Sequence, residues 1–415
     1  MTTVRFLNGL STIGGNIMEI ATETSRVIMD FGMTENSEET DAETLIAQHS
    51  LPALSELFQN NQKHVYQHEA IFISHLHLDH TAALAYLRSN IPVYISHESY
   101  RLYQNLAGSG LAMTLGINLH AFEYERPIQI GDLSVTGFAS DHDAFGAAAL
   151  LVSDGHHTFG HSGDVRLHGP HVERVHHWIN AFRSAHLDLF MLEGTSFSFE
   201  PNQNLEFSDP VSEDDVQHTF GQLIQNDERL LVINPYPRNL ERLLRFNQTA
   251  NAYNRPVVWE LPYARLLSSF YPEALIHVQE TDRLNKQDFA TLIPVSMSTI
   301  QHEPDRFCLQ NSYANLQVLS RWPRFLYLHS NGEPLGDYDP RYRKLQEFLA
   351  QHHAEYQYLG SSGHATQNAL IAIAKNVNAQ TTGIWHSFHP EAAVAAMSEL
   401  DTHLFLPNYD EIYSF

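Results

Sequence analysis

Apolar and polar positions along the chain sort into short β-rich runs and longer amphipathic stretches. Residues 13–20 and 26–32 are β-rich and flank a polar turn, which predicts two strands. From 37 to 62 an acidic stretch carries Leu45, Leu51, Leu54, Leu57 and Phe58 on one helical face. A run at 70–73 predicts a strand that ends in a polar loop. Helices follow at 81–89 and 98–107, with a strand at 91–95 between them. Apolar runs at 147–152 and 187–192 read as further strands. Beyond a polar, Pro-containing stretch at 202–215, a strand at 230–233, an amphipathic helix at 240–253 and a strand at 256–260 make a β-α-β pattern, the signature of a parallel sheet. A strand at 325–329 enters a turn at 330–336, and 341–352 is helical. The last part alternates strand, helix (367–376), strand and a helix from 392. No repeat, heptad or low-complexity tract interrupts this order.

Length changes the picture first: 415 residues suit about two domains, and the polar stretch near 205 is the natural boundary. A hydrophobic share of 43% with 17% charged residues is globular. The chain has no apolar run of about 18 residues and no basic start followed by an apolar core, so neither a membrane span nor a secretory leader is expected. A lone cysteine, Cys308, excludes an internal disulfide and a thiolate cluster, in keeping with the cytoplasm. The net charge of −24 argues against sequence-blind adhesion to nucleic acid, although a locally positive cleft is compatible with it. Residues 206–345 hold 14 of the 24 Lys and Arg against 18 of the 48 Asp and Glu. The middle of the chain is therefore the better partner for an anionic polymer.

Candidate chemistry concentrates at strand ends. After 70–73 come His75, His77, Asp79 and His80, an H-x-H-x-D-H order whose density suits a borderline divalent cation such as Zn²⁺. These donors exceed the need of one ion and suggest a second. Asp30, at a strand end before Gly32, reads better as a structural hydrogen-bond acceptor than as a ligand. His142 lies in a loop between strands and supplies the third imidazole that a His75/His77 site requires. Asp164, after a strand and two small residues, could bridge two cations or cap a loop. Glu193 stands near the exit of another strand. Arg238, Arg242 and Arg245 recur at helical spacing, and such a stripe is more often a solvated face than a phosphate site. Ser362, Gly363 and His364 precede a helix, where backbone N–H groups could bind an anion and an imidazole could move a proton. His386 follows a strand directly and is preferred over His389 as the last ligand.

In order, His75, His77, Asp79, His80, His142, Asp164 and His386 resemble the ligand motifs of the metallo-β-lactamase fold, and Asp30 resembles its first, structural motif. The run from Gly163 to Gly169 looks like the GDxRxHG form of the nuclease branch, and Ser362-Gly363-His364-Ala365 resembles the SGHA motif of the β-CASP subgroup, with Glu193 where that subgroup has a carboxylate. Residues 234–240 and 330–335 resemble the inserted domain of RNase J. The resemblance implies an α/β chain with an αββα sandwich built from 1–205 and 346–415 and a β-CASP domain inserted at 206–345. It also implies two divalent cations, Zn²⁺ preferred and Mn²⁺ accepted. His75, His77 and His142 would hold one, Asp79, His80 and His386 the other, and Asp164 would bridge. Such a pair suits in-line displacement at phosphorus. His364, oriented by Glu193, would act as general acid or phosphate anchor, with Ser362 and Gly363 beside the substrate.

Departures from the pattern bear on substrate more than on metal. Asp143-Ala144-Phe145 replaces an HSIP-like segment, Leu76 and Leu78 are bulkier than usual, and the segment around His386 lacks the family's following glutamate. The reading is thus a dinuclear-metal hydrolase cleaving single-stranded RNA, by exo- or endonucleolytic attack, with a homodimer among the open oligomeric states. The alternative is a hydrolase of a small ester, thioester or lactone on the same centre. A non-catalytic RNA-binding subunit is disfavoured by the complete ligand set.

Overall fold

Burial follows the pattern of each strand. β1 (Thr3–Asn8) alternates half-buried and buried positions, whereas β2 (Ile17–Ala21) and β3 (Ser25–Met29) are buried throughout. A strand covered on both faces reads as a continuous rather than an alternating run. The computed structural model describes residues 1–33, 41–59, 65–199, 210–336 and 339–415. The expected boundary at 205, and parts of the helical stretch 37–62, lie outside them.

The chain divides into two compact units, one of Met1–Leu102, Thr114–Pro210 and Ser362–Phe415, the other of Tyr103–Met113 and Val211–Ser361. In the first unit β4 (His68–Phe72), β5 (Pro92–Ser96) and β6 (Asn118–Phe122) extend the first sheet. A second sheet takes β7 (Ile128–Ile130), β8 (Leu133–Ala139), β9 (Ala148–Ser153), β10 (Thr158–His161) and β11 (Leu189–Glu193). β3 through β6 run parallel to one another, as do β10 and β11. Val27, Met29 and Phe72 of the first sheet meet Leu150, Phe159 and Met191 of the second in one core. On the second sheet's other face, Phe190 and Leu192 pack with Trp178 and Phe182 of the helix Val172–Ala185 and with Leu370 and Ile373 of the helix Gln367–Val377. Each such side chain removed from water contributes roughly 1.5–3 kcal/mol. This is a metallo-β-lactamase αββα arrangement.

The second unit holds β12 (Leu230–Pro235), β13 (Val257–Trp259), β14 (Ile276–Gln279), β15 (Leu292–Val295), β16 (Cys308–Gln310), β17 (Phe325–Ser330) and β18 (Glu355–Tyr358), all paired in parallel. Its strand order, β15-β14-β13-β16-β12-β17-β18, puts β16 between the two strands of the expected β-α-β unit. The expected domain end at 345 falls inside the helix Pro340–Gln351, whose Leu345 and Phe348 pack on this unit's core. With β18 added at the sheet edge, the unit runs on to Ser361. The arginine stripe is only in part a solvated face, at Arg245. Arg242 is buried, donating to both carboxylate oxygens of Glu213 at 2.8 and 2.9 Å and to Ser361 O at 2.8 Å.

The chain then returns to the first unit with β19 (Thr381–Trp385), β20 (His403–Phe405) and β21 (Tyr413–Ser414). β19 lies parallel to β11, and β21 closes the first sheet beside β1. Among the described residues each of the three sheets has seven strands. No helix among them is long and apolar enough to cross a membrane.

Candidate metal centre

The carboxyl ends of parallel strands are where α/β sheets present side chains to ligands. β4 leads to Ser74–His80, β10 to Asp164, β11 to Glu193 and β19 to His386, while the loop from β8 to β9 carries His142. Asp79 and His80 sit inside a single helical turn, Leu78–Thr81, followed by a 3₁₀ turn, Ala82–Tyr86, rather than ahead of one longer helix. Gly32 permits this turn to pack, because a Cβ there would overlap Asp79 O. Two residues of the centre, Asp30 and His386, hold left-handed backbone at φ 57° and 53°. A non-glycine residue held so is strained, and such strain gathers at functional sites.

Two groups of donor atoms converge. His75, His77, His142 and Asp164 form one, and Asp79, His80, Asp164 and His386 the other, all atoms of each group lying within 4.8 Å of one another. Asp164 is common to both. Its Oδ2 stands 3.2 Å from His80 Nε2, 3.5 Å from His75 Nε2, 3.7 Å from His386 Nε2 and 3.8 Å from His142 Nε2. Asp79 Oδ2 is 3.2 Å from His386 Nε2. His389 is outside the cluster, exposed and paired with Glu391.

Outer hydrogen bonds fix which nitrogen of each imidazole faces inward. Gly363 O can only accept, so His142 Nδ1 donates to it, at 2.5 Å. Asp30 Oδ2 accepts from His80 Nδ1 at 2.8 Å and from Ser74 Oγ at 2.9 Å. With its proton so used, Ser74 Oγ accepts from His75 Nδ1 at 3.0 Å. Thr195 Oγ1 lies 2.8 Å from His386 Nδ1 and donates to His386 O at 3.3 Å, so it accepts from that ring nitrogen. Four Nε2 atoms are thereby turned to the centre. His80 Nε2 faces His386 Nε2 at 3.3 Å, and His142 Nε2 faces His77 Nδ1 at 3.1 Å. His75 Nε2 and both carboxylate oxygens of Asp164 are buried without a hydrogen bond. Buried donors of this kind, facing one another and unsatisfied by protein, fit divalent cations.

Electrostatics agree with that fit. Burial pushes the His75, His77 and His142 imidazoles down, His77 to about 3, so they are neutral and ready to ligate. Burial also opposes charge on His80, but Asp164, Asp79 and Asp30 outweigh it and hold this imidazole well above its ordinary range. Burial opposes ionisation of Asp164, yet His386, His80 and His364 keep it well below the usual carboxylate range.

Next to the two groups, His364 Nδ1 meets Glu193 Oε1 at 3.2 Å and its Nε2 lies 3.9 Å from Asp164 Oδ2. Although burial lowers it, Glu193 and Asp164 raise the His364 imidazole to about 10. Glu193 is fixed in turn by the Thr195 N–H at 2.9 Å. In the segment expected from sequence to offer amides to an anion, the His364 N–H is already engaged. His364 N–H donates to Ser362 Oγ at 3.1 Å and Ala365 N–H to Val165 O at 2.7 Å, so both are already committed. The carbonyl oxygens of Ser362 and Gly363 accept from side chains around the centre. Arg166 Nη1 and His168 Nε2 reach Ser362 O at 3.3 and 3.0 Å, and Arg166 Nε is held by Asp141 at 2.9 Å. Ser74, Asp141, Thr195 and His161, whose Nε2 lies 3.4 Å from Asp30 Oδ2, carry no mark in the sequence. Their places at or near the ends of the strands that carry the donors are the signal that could have found them.

A cluster of imidazoles and carboxylates at the strand ends of an αββα sandwich defines a class, and comparison agrees. Residues 32–207 match the β-lactamase superfamily domain, in agreement with the metallo-β-lactamase fold. The chain is 24% identical to ribonuclease J of Helicobacter pylori over 254 residues, 60% of this chain and 35% of that one. Ribonuclease J 2 of Streptococcus pyogenes serotype M3 is 22% identical over 255 residues, 61% of this chain and 44% of that one. The match thus spans less than half the length of these curated relatives. A crystal structure of a protein of unknown function from Enterococcus faecalis V583 superposes with a TM-score of 0.82 at 30% identity over 99% of each chain. Superfamily and distant homology together support a hydrolase.

Proposed function

We propose that this chain is a metal-dependent phosphodiesterase that hydrolyses single-stranded RNA in the manner of ribonuclease J, with the second unit as its β-CASP domain. The observation that carries the reading is the Glu193–His364 pair, whose imidazole stands 3.9 Å from the carboxylate shared by both donor groups. His75, His77, His142 and Asp164 would hold one cation and Asp79, His80, His386 and Asp164 the other, Zn²⁺ first and Mn²⁺ as an accepted alternative. Bound there, the cations supply Lewis-acid activation of water and neutralise charge on a phosphodiester. His364, charged through Glu193, anchors a phosphate oxygen or gives its proton to the leaving oxygen. Glu193 positions the ring by accepting from Nδ1, which leaves Nε2–H for the substrate.

The acidic composition, net −24, favours a second reading, a small ester, thioester or lactone as substrate. The two are separated by incubating a 5′-monophosphorylated single-stranded RNA, labelled at both ends, with Zn²⁺ or Mn²⁺ and with Asp164→Ala as the contamination control. Mononucleotides or internal fragments from the wild type alone support the ribonuclease and give its polarity. An intact RNA with both ions bound moves the assignment to the small substrate.

A further inference from the structure

His77 and His142 share a neighbour outside the two donor groups. Asp143 Oδ1 lies 3.3 Å from His142 Nε2 and 3.5 Å from His77 Nε2, and the residue is buried. Room for it depends on Gly363, where a Cβ would overlap Asp143 Oδ1 and His142 Cε1. His142 gives its only imidazole proton to Gly363 O, so its Nε2 presents a lone pair to the carboxylate. A lone pair and an anionic oxygen at 3.3 Å repel each other unless positive charge lies between them. The same lone pair points to His77 Nδ1, a member of the first donor group.

We propose that Asp143 is a further oxygen ligand of the cation held by His75, His77, His142 and Asp164, and that it biases this position toward a harder ion, Mn²⁺ over Zn²⁺. The inference rests on the metal-centre reading above. Imidazole suits Zn²⁺, whereas each added carboxylate oxygen favours ions that take oxygen donors. The competing role is acceptor of a proton from His77 Nε2, which would orient the ring and leave the ligand set unchanged.

Asp143→Asn keeps the shape and an accepting oxygen but loses the anionic ligand, and Asp143→Ser removes the side chain's reach. Each is loaded with Co²⁺ for visible spectroscopy and titrated calorimetrically with Mn²⁺ and with Zn²⁺ beside the wild type. We expect weak Co²⁺ bands in the wild type, strengthened severalfold in both variants, and a Mn²⁺ affinity reduced about tenfold or more with a smaller loss for Zn²⁺. Variants that bind both ions with the wild-type spectrum and the wild-type Mn²⁺-to-Zn²⁺ affinity ratio would overturn the assignment while leaving the metal centre standing. A wild type that takes up no ion would overturn the metal centre and this assignment together. Thermal melting of the metal-free variants serves as the folding control, and the wild-type Co²⁺ spectrum tests the ligand count without any substitution.

Discussion

Asp30 Oδ2 accepts from His80 Nδ1 at 2.8 Å, and this single bond turns the other nitrogen of His80 toward His386 Nε2, 3.3 Å away. Asp30 also accepts from the Ser74 N–H at 2.7 Å and from Ser74 Oγ, so one buried carboxylate sets the rings of His80 and, through Ser74, of His75. Asp30→Asn keeps a residue that tolerates the left-handed backbone but replaces one accepting oxygen with a donor. Metal affinity should fall about 10–100-fold. Metal content after dialysis, compared with wild type by plasma mass spectrometry, measures this, and undiminished content in Asp30→Asn would remove Asp30 from the orienting network.

Asp164 and His364 should separate in their effects. Asp164 reaches both donor groups, so Asp164→Ala is expected to lose both metal retention and turnover. His364 lies beside the groups, so His364→Ala should retain the metals and lose about 10²–10⁴ in rate on a phosphodiester. An unchanged rate in His364→Ala would refute the proposed chemistry.

Glu193→Gln isolates the electrostatic part of that role. Glu193 is the main support of the charged His364 imidazole, which stands at about 10. Without the carboxylate the imidazole loses its proton at lower pH, so the alkaline limb of the pH–rate profile should shift downward while metal content stays constant. A limb that stays in place would show that another group sets it.

The clustered strand-end donors were legible in the sequence because their chemistry is local: H-x-H-x-D-H follows directly on an apolar run, and His386 directly on β19. What could not be read is long-range. Thr195 meets His386 across 191 positions, and Arg166 meets Ser362 across 196, so neither bond leaves a spacing to recognise. The burial of Arg242 depends on Glu213, which lies on another helix. The parallel sheet of the second unit was visible in its apolar runs, but its order was not, because β16, which follows both in the chain, inserts between β13 and β12.

Metal uptake should release protons. His80 is held well above its ordinary range by three carboxylates when only protein surrounds it, yet a ligating imidazole must be neutral. Calorimetric titration of Zn²⁺ into chelated protein at pH 7, in buffers of different ionisation enthalpy, should show net proton release. Heats that do not depend on the buffer would mean that His80 Nε2 is not displaced from its proton.

Stability of the chelated protein should peak near neutrality. On the acid side, His75, His77, His142 and His161 have folded values below their unfolded value of about 6.5, chiefly through burial. Below that value the unfolded chain binds protons that the folded one refuses, so stability drops as pH falls from about 6.5 toward 5, by up to ~1.4 kcal/mol per pH unit for each group. On the alkaline side the sign reverses for His80 and His364, whose folded values are raised. Their contribution is complete below about 6.5 and is lost as pH rises toward the folded values. Thermal melts in chelator from pH 5 to 9 should trace this maximum. His77→Gln should flatten the acid limb, because it removes the imidazole pushed down to about 3, and an acid limb as steep as that of the wild type would place the titrating groups elsewhere.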